Sequence, residues 1–281
     1  MNSIVSVVGE AIQTCVANLK SLITKKGKTI RQIEAQVLHS RHSFRVPWKL
    51  QKESTYRALK ANVDMMKLIQ VGITLIDNRE QRPMIDGAYC IWQFNLRNFD
   101  LRTDGYVKSS IELVRNSGID FERNRRDGLA SRTLGSLLRK HGLVFNPRIR
   151  YVCYQGDYDF TYLHKAVTGD QRLPSTLAEY AHSKAGMFGP IFDVRCVELQ
   201  YFQTMYGLQK FSDSLGVKRI SGTSHQAGSD SLLTASTYEA LKSRFSSNTN
   251  QHYSETILGH WRFPCAMPKF FIPRRQVLFI Y

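Results

Sequence analysis

The chain has 281 residues, 42% of them hydrophobic and 22% charged, and carries a formal net charge of +16. That length accommodates one sizeable α/β core with extensions, and the positive excess favours a polyanionic partner such as RNA over an acidic small molecule. No apolar run approaches the roughly 18 residues that span a membrane, and no early basic residues precede a continuous apolar stretch, which argues against a membrane span and a secretory signal.

Five scattered cysteines, Cys15, Cys90, Cys153, Cys196 and Cys265, form no Cys-x-x-Cys pair. Neither a zinc site nor a disulfide framework is indicated, and a reducing compartment is expected: nucleus, cytoplasm or both.

Residues 1–40 read as an N-terminal extension. Ile4, Val8, Ile12, Cys15, Val16, Leu19 and Ile23 recur at helical spacing and predict an amphipathic helix that ends near Lys25 to Lys28. The presence of Glu10 and the absence of arginine before Arg31 argue against a mitochondrial presequence. A helix follows over 54–66, with Tyr56, Leu59, Val63 and Met66 along one side. Strands are expected at 68–77 and 88–96, joined through Pro83 and Gly87 as a hairpin or short meander. Helical patterns cover 108–117 and 129–141, the second stopped by Gly142, and the basic residues Arg123, Arg125 and Arg126 fall in the loop between them. Such a cluster can line an RNA path or simply be solvated. A strand near 189–194 and helices near 194–206 and 208–215 come later, and the polar run 246–251 opens a C-terminal tail over 246–281. No internal repeat and no Rossmann or P-loop glycine pattern occurs in the sequence.

Two stretches carry candidate chemistry. The first runs His225-Gln-Ala-Gly-Ser-Asp-Ser-Leu-Leu233. Gly228 breaks the backbone and Ser229 is a candidate cap, which puts Asp230 in the first turn of a helix and His225 in the loop before it. The helix dipole keeps such a carboxylate ionised, and a nearby imidazole can accept a proton from whatever the carboxylate holds. In the second, Tyr151 to Tyr154 reads as a buried strand that hands over through Asp157, Tyr158, Asp159 and Phe160 to a helix. Asp159 then falls at the strand–helix edge where active sites of open α/β sheets collect. Taken singly, each acid also reads as an ordinary first-turn residue.

With Leu68 to Leu75, Trp92 to Asn95 and Tyr158-Asp159-Phe160, the His225 motif resembles the Caf/Pop-type catalytic subunits of the CCR–NOT deadenylase complex, ribonucleases of the DEDD class. The resemblance runs from about Tyr56 to Phe245, and the plant members look closest through Leu215 to Ile220. It implies a ribonuclease H-like mixed β-sheet flanked by helices, with a nuclease domain over 41–245. It also implies removal of poly(A) tails from the 3′ end by two-metal hydrolysis with Mg2+ or Mn2+. Asp159 and Asp230 match metal-binding acids, His225 matches the general base, and Asp193 lies in a strand that the family shares, with a supporting role. The implied partners are poly(A) RNA, the NOT scaffold subunit and the CCR-type nuclease; no DNA and no membrane are expected.

The sequence departs from the family at its start. Family members open their sheet with Asp-Thr-Glu-Phe-Pro-Gly, whereas the corresponding region here runs from Val37 to Pro47. If Phe44 takes the place of the motif's phenylalanine, Arg41 stands where the aspartate belongs and Ser43 where the glutamate belongs. Glu34 is the only acid between Glu10 and Glu53, so no Asp-x-Glu can be assembled. Asp157 is a candidate partial substitute, provided the chain is extended there. Three readings follow: an active deadenylase, a relative that binds RNA or deadenylase partners without cutting, and a first coding segment that is not the natural one.

Overall fold

The computed structural model describes residues 2–7, 30–33, 37–38, 52–77, 81–85 and 87–247. Its centre is a mixed eight-stranded sheet. Strands β1 (Asn2–Val7), β2 (Ile30–Ile33), β3 (Val37–Leu38), β4 (Gln70–Asp77), β5 (Met84–Ile85), β6 (Ala88–Asn95), β7 (Arg150–Cys153) and β8 (Ile191–Asp193) run in the order β1-β6-β4-β2-β7-β8, with β3 on β4 and β5 on β6. The pair β4–β6 is antiparallel, as the expected hairpin requires, while β7 and β8 are parallel. β4 is buried along nearly its whole length, with helices over both faces.

Helices α1 (Lys52–Met65), α4 (Ser131–Lys140), α5 (Asp157–Val167) and α6 (Leu177–Phe188) belong to one side. Tyr56, Val63, Leu134, Phe160, Leu163 and Phe188 pack there with Val71, Ile73, Leu75, Tyr151 and Cys153. On the other side α8 (Leu208–Ser214) and the long α9 (Ala227–Ser247) place Phe211, Ala235, Tyr238 and Leu241 with Ile76, Val152 and Phe192. The alternation of Tyr151, Val152 and Cys153 between these two cores is the period-2 signature of a strand buried on both faces. Two shorter helices, α2 (Lys108–Asn116) and α3 (Phe121–Asp127), close a third cluster around Ile69, Phe99, Ile111 and Phe121. Among the described residues no helix is long and apolar enough to cross a membrane.

Several expectations need correction. Residues 2–7, expected within an amphipathic helix, form β1 parallel to β6. Ile4, Val5 and Val7 are β-branched, and such side chains favour a pleated strand. Residues 8–29, the rest of that expected helix, and residues 248–281 of the tail lie outside the described residues. With β1, β2 and β3 the sheet draws on residues within 1–40, the expected extension. The cluster Arg123, Arg125 and Arg126 is on α3 rather than in a loop, and each arginine has an acid partner on the same helix: Asp127 at 4.0 Å, Glu122 at 3.2 Å and Asp127 at 2.9 Å.

Helix α6 was not expected at all, although its start is encoded: the Thr176 hydroxyl accepts from the Glu179 N–H and Glu179 accepts from the Thr176 N–H. This reciprocal cap stabilises a helix start by about 1 kcal/mol. Conversely, the helix expected over 194–206 stops early. α7 (Val194–Val197) passes into a π-helical turn at Glu198–Phe202 that ends on the left-handed Gln203. Buried Glu198 explains the break. Its carboxylate accepts from Tyr154 Oη at 2.6 Å, Arg195 Nη1 at 2.8 Å and Tyr206 N at 2.5 Å, which draws the following chain back over the helix end.

His164 on α5 is buried, with Nε2 2.7 Å from Ser183 Oγ. Burial, and secondarily the charge of Lys184, lowers its pKa to about 4. An unfolded histidine titrates near 6.5, so between these values the unfolded chain binds the extra proton and stability falls as the pH drops. Replacement His164→Gln removes this contribution. Denaturant unfolding at pH 7 and pH 4 should show wild type losing up to about 3 kcal/mol more than the variant on acidification.

Candidate active site

The strand β7 ends at Cys153, and the turn Tyr154-Gln155-Gly156 carries the chain into α5. Gln155 is left-handed, with φ 63°. A Cβ on Gly156 would meet the Cys153 side chain, so this turn tolerates no side chain there. The turn is clamped from the neighbouring strand: Asp193 accepts from Gln155 N at 2.7 Å, Gly156 N at 3.1 Å and Arg195 N at 2.9 Å. Asp193 therefore supports the turn on which Asp159 depends. Burial pushes its carboxyl above the ordinary aspartate value, and the charge of Asp157 adds to this, against the pull of the three N–H donors.

Asp159 is buried in the first turn of α5. Asp157 lies in the same turn but is exposed. Successive helical residues are rotated by about 100°, so positions two apart point to different sides. The extended backbone on which Asp157 would have substituted for a missing ligand is absent. The buried ammonium of Lys184 lies 5.1 Å from the Phe160 ring centroid. Burial disfavours its charge, but Tyr180, Asp157, Cys153 and Asp193 outweigh that and raise its pKa. No feature of the sequence pointed to this lysine.

Asp230 is buried in the first turn of α9, and His225 precedes the helix with a left-handed backbone, φ 67°. The helix begins at Ala227, two residues ahead of the expected cap Ser229, whose hydroxyl instead donates to Ser221 O at 2.6 Å. The first N–H groups of α9 are met by strand side chains. Ala227 N donates to Gln70 Oε1 at 2.8 Å and Gly228 N to Gln93 Oε1 at 2.9 Å. A Cβ on Gly72 would overlap the Ala227 carbonyl, so β4 and α9 touch backbone to backbone there. The two glutamines sit inside apolar strand runs, and that polar interruption is the sequence signal by which they were detectable.

Asp230 Oδ2 accepts from His225 N at 2.9 Å, and Oδ1 pairs with Arg219 Nη2 at 2.5 Å. The His225 loop is also tied to the end of α2, where Ser117 O accepts from Gln226 Nε2 at 2.8 Å and Thr223 Oγ1 at 3.2 Å. Thus His225 and Asp230 are brought together through the backbone of one and the carboxylate of the other.

The sheet register relates the two acids. Ile33 pairs with both Leu75 and Tyr151, antiparallel to β4 and parallel to β7. Following β7 forward from Tyr151 therefore corresponds to following β4 backward from Leu75 towards Gly72 and Gln70. The turn that leads to Asp159 and the seat of α9 lie at the same edge of the sheet, with α5 and α9 on opposite faces.

The place between β4 and β7 is held by β2, Ile30–Ile33, whose residues include no acid. β3 continues its register on β4: Ile33 faces Leu75, and four residues on Val37 faces Val71. Arg41 and Ser43, expected at the acid-pair positions, lie outside the described residues. Among the described residues no group of three or more His, Cys, Asp or Glu could hold a metal ion. Hard divalent cations take about six oxygen ligands each, and the described residues do not fit a pair of such ions.

A ribonuclease H-like sheet flanked by helices, with acids delivered to one edge by α5 and α9, is the fold of the DEDD exonuclease class. No family model matches the chain. It is 39% identical over 215 residues to the probable CCR4-associated factor 1 homolog 7 of Arabidopsis thaliana, covering 75% of this chain and 77% of that one. The poly(A) ribonuclease pop2 of Schizosaccharomyces pombe is 37% identical over 190 residues, covering 68% of this chain and 55% of the relative. The structure of S. pombe Pop2p in its Mg2+- and Mn2+-bound form superposes with a TM-score of 0.76 at 32% identity, covering 88% of this chain and 95% of that one. Yeast CAF1 co-crystallised with the NOT1 MIF4G domain has the same fold, with a TM-score of 0.67 at 22% identity over 86% of this chain and 89% of that one. The chain belongs to the CAF1/Pop2 deadenylase family.

Because Gly72 permits the closest β4–α9 approach, Gly72→Ala is expected to cost at least about 2 kcal/mol in denaturant unfolding, from overpacking of a seat that cannot shift.

Proposed function

We propose that this chain works on the 3′ poly(A) end of RNA as the deadenylase of a CCR–NOT-type assembly. The observation that carries the reading is the delivery of Asp159 and Asp230 to one edge of the sheet, with His225 bonded to the Asp230 carboxylate, in a chain related to a poly(A) ribonuclease. His225 has the chemistry of the proton acceptor for the attacking water, since a neutral imidazole nitrogen can take up the proton that the water loses. Asp159 and Asp230 are the acids of the reacting edge, and Asp193 fixes the turn before the first of them. Pop2p was solved with Mg2+ and Mn2+, and the deadenylase reading takes such ions as its cofactor, with ligands beyond Asp159 and Asp230 required from outside the described residues. The net charge of +16 supports a polyanionic substrate. A NOT scaffold is the proposed partner by analogy with yeast CAF1, together with a CCR-type nuclease, in nucleus and cytoplasm.

A second reading is favoured by a specific observation. The sequence offers no Asp-x-Glu ahead of Tyr56, which leaves a relative that holds RNA or deadenylase partners without cutting.

A time course on RNA ending in labelled adenosines, with Mg2+ or Mn2+, separates the two. Deadenylation requires stepwise shortening that drops at least about 100-fold in Asp230→Ala, beyond what loss of an outer supporting group causes. RNA retained on a filter but not shortened by the wild-type chain would replace the first reading with the second.

A further inference from the structure

We infer that Arg219 is the resident counter-ion of Asp230 and holds this carboxylate against divalent cations. The pair is short and sheltered: Nη2 to Oδ1 is 2.5 Å, with side-chain exposures of 12% and 5%. Arg219 is also pinned from two further directions. Its Nε donates to Gln209 Oε1 at 2.8 Å, and Nη1 donates to Ser229 Oγ at 2.5 Å. The planar guanidinium therefore joins α8, the loop before α9 and the first turn of α9 through one fork, a geometry that a lysine cannot reproduce. The second Asp230 oxygen accepts the His225 N–H, so both oxygens already have donors in the metal-free fold.

A hard cation binds a carboxylate oxygen at roughly 2.0–2.6 Å. Reaching Asp230 at that distance brings it within a few ångström of the guanidinium charge, in a sheltered site where screening is weak. To relieve this, Arg219 must leave Gln209 and Ser229 as well as Asp230. The described residues contain no cluster of three or more acidic, His or Cys ligands to offset that loss. The charge that two metals supply to such a carboxylate in a metal-dependent nuclease is supplied here, at Asp230, by the protein itself.

The inference rests on reading Asp230 as an acid of the nuclease site, but its test measures ion binding and not RNA cleavage, so either can fail alone. Mn2+ binding to the full chain is titrated by electron paramagnetic resonance of the free ion, for wild type, Arg219→Gln, Arg219→Lys and Asp230→Asn. Arg219→Gln is expected to bind Mn2+ at least tenfold more tightly than wild type, Arg219→Lys to fall between them, and Asp230→Asn to lose the added site. Structural damage lowers affinity and does not raise it, so a gain separates charge competition from disturbed folding. Equal or weaker Mn2+ binding by Arg219→Gln would overturn the inference. Should that variant not fold, Gln209→Ala, which releases one anchor of the same guanidinium, is read in its place: tighter binding supports the inference and unchanged binding overturns it.

Discussion

The seat of α9 on the sheet is the constraint from which the candidate site follows. A helix start leaves its first N–H groups without intrahelical partners, and burying them unsatisfied is costly. Here the carboxamides of Gln70 and Gln93 reach out of two adjacent antiparallel strands to take the N–H groups of Ala227 and Gly228. Asn95 orients the first of them, its Oδ1 accepting from Gln70 Nε2 at 2.6 Å. Gly72 supplies the clearance. Thr74 and Ser231 complete the seam with a buried hydroxyl contact of 2.9 Å. Each of these groups is polar inside an otherwise apolar interface, so sliding the helix would strand several of them at once. Asp230 inherits a fixed position from that seam.

The opposite face solves the same placement problem differently. Asp159 depends on a short turn whose strained Gln155 is held by Asp193 from the adjacent parallel strand. Both acids sit in the first turn of a helix, where the dipole favours an ionised carboxylate. Both neighbourhoods also contain an internal cation: Arg219 on Asp230, and the buried ammonium of Lys184 beside the Phe160 ring. An edge that gathers this many acids needs positive charge from some source, and in this chain part of it comes from side chains.

Much of this was legible in the sequence. The runs of β4, β6 and β7, the stripe of α1 and the handover at Asp159 all follow from apolar periodicity and turn residues, because burial imposes those periods. The position of Asp230 in a first turn was legible too, although the helix starts earlier than Ser229 implied. Strand side chains, not a local cap, satisfy its N–H groups, and non-local partners leave no mark in a window of neighbouring residues. The same reason hid Arg219 and Lys184. Helix α6 was missed despite its Thr176–Glu179 box because its apolar face is interrupted by buried Lys184. The strand at Asn2–Val7 shows the reverse error: a spacing compatible with a helix was overruled by β-branched residues and a free edge of β6 to pair with.

α9 is locked to β4 and β6 through its first N–H groups, which makes the Asp230 edge as rigid as the core. Amide hydrogen exchange at Ala227 and Gly228 measures this directly. If the carboxamides hold them, both amides exchange only through global unfolding, with the same free energy as the amides of β4. Exchange within minutes, while the β4 amides stay protected, would contradict the account and leave Asp230 on a helix end that opens on its own.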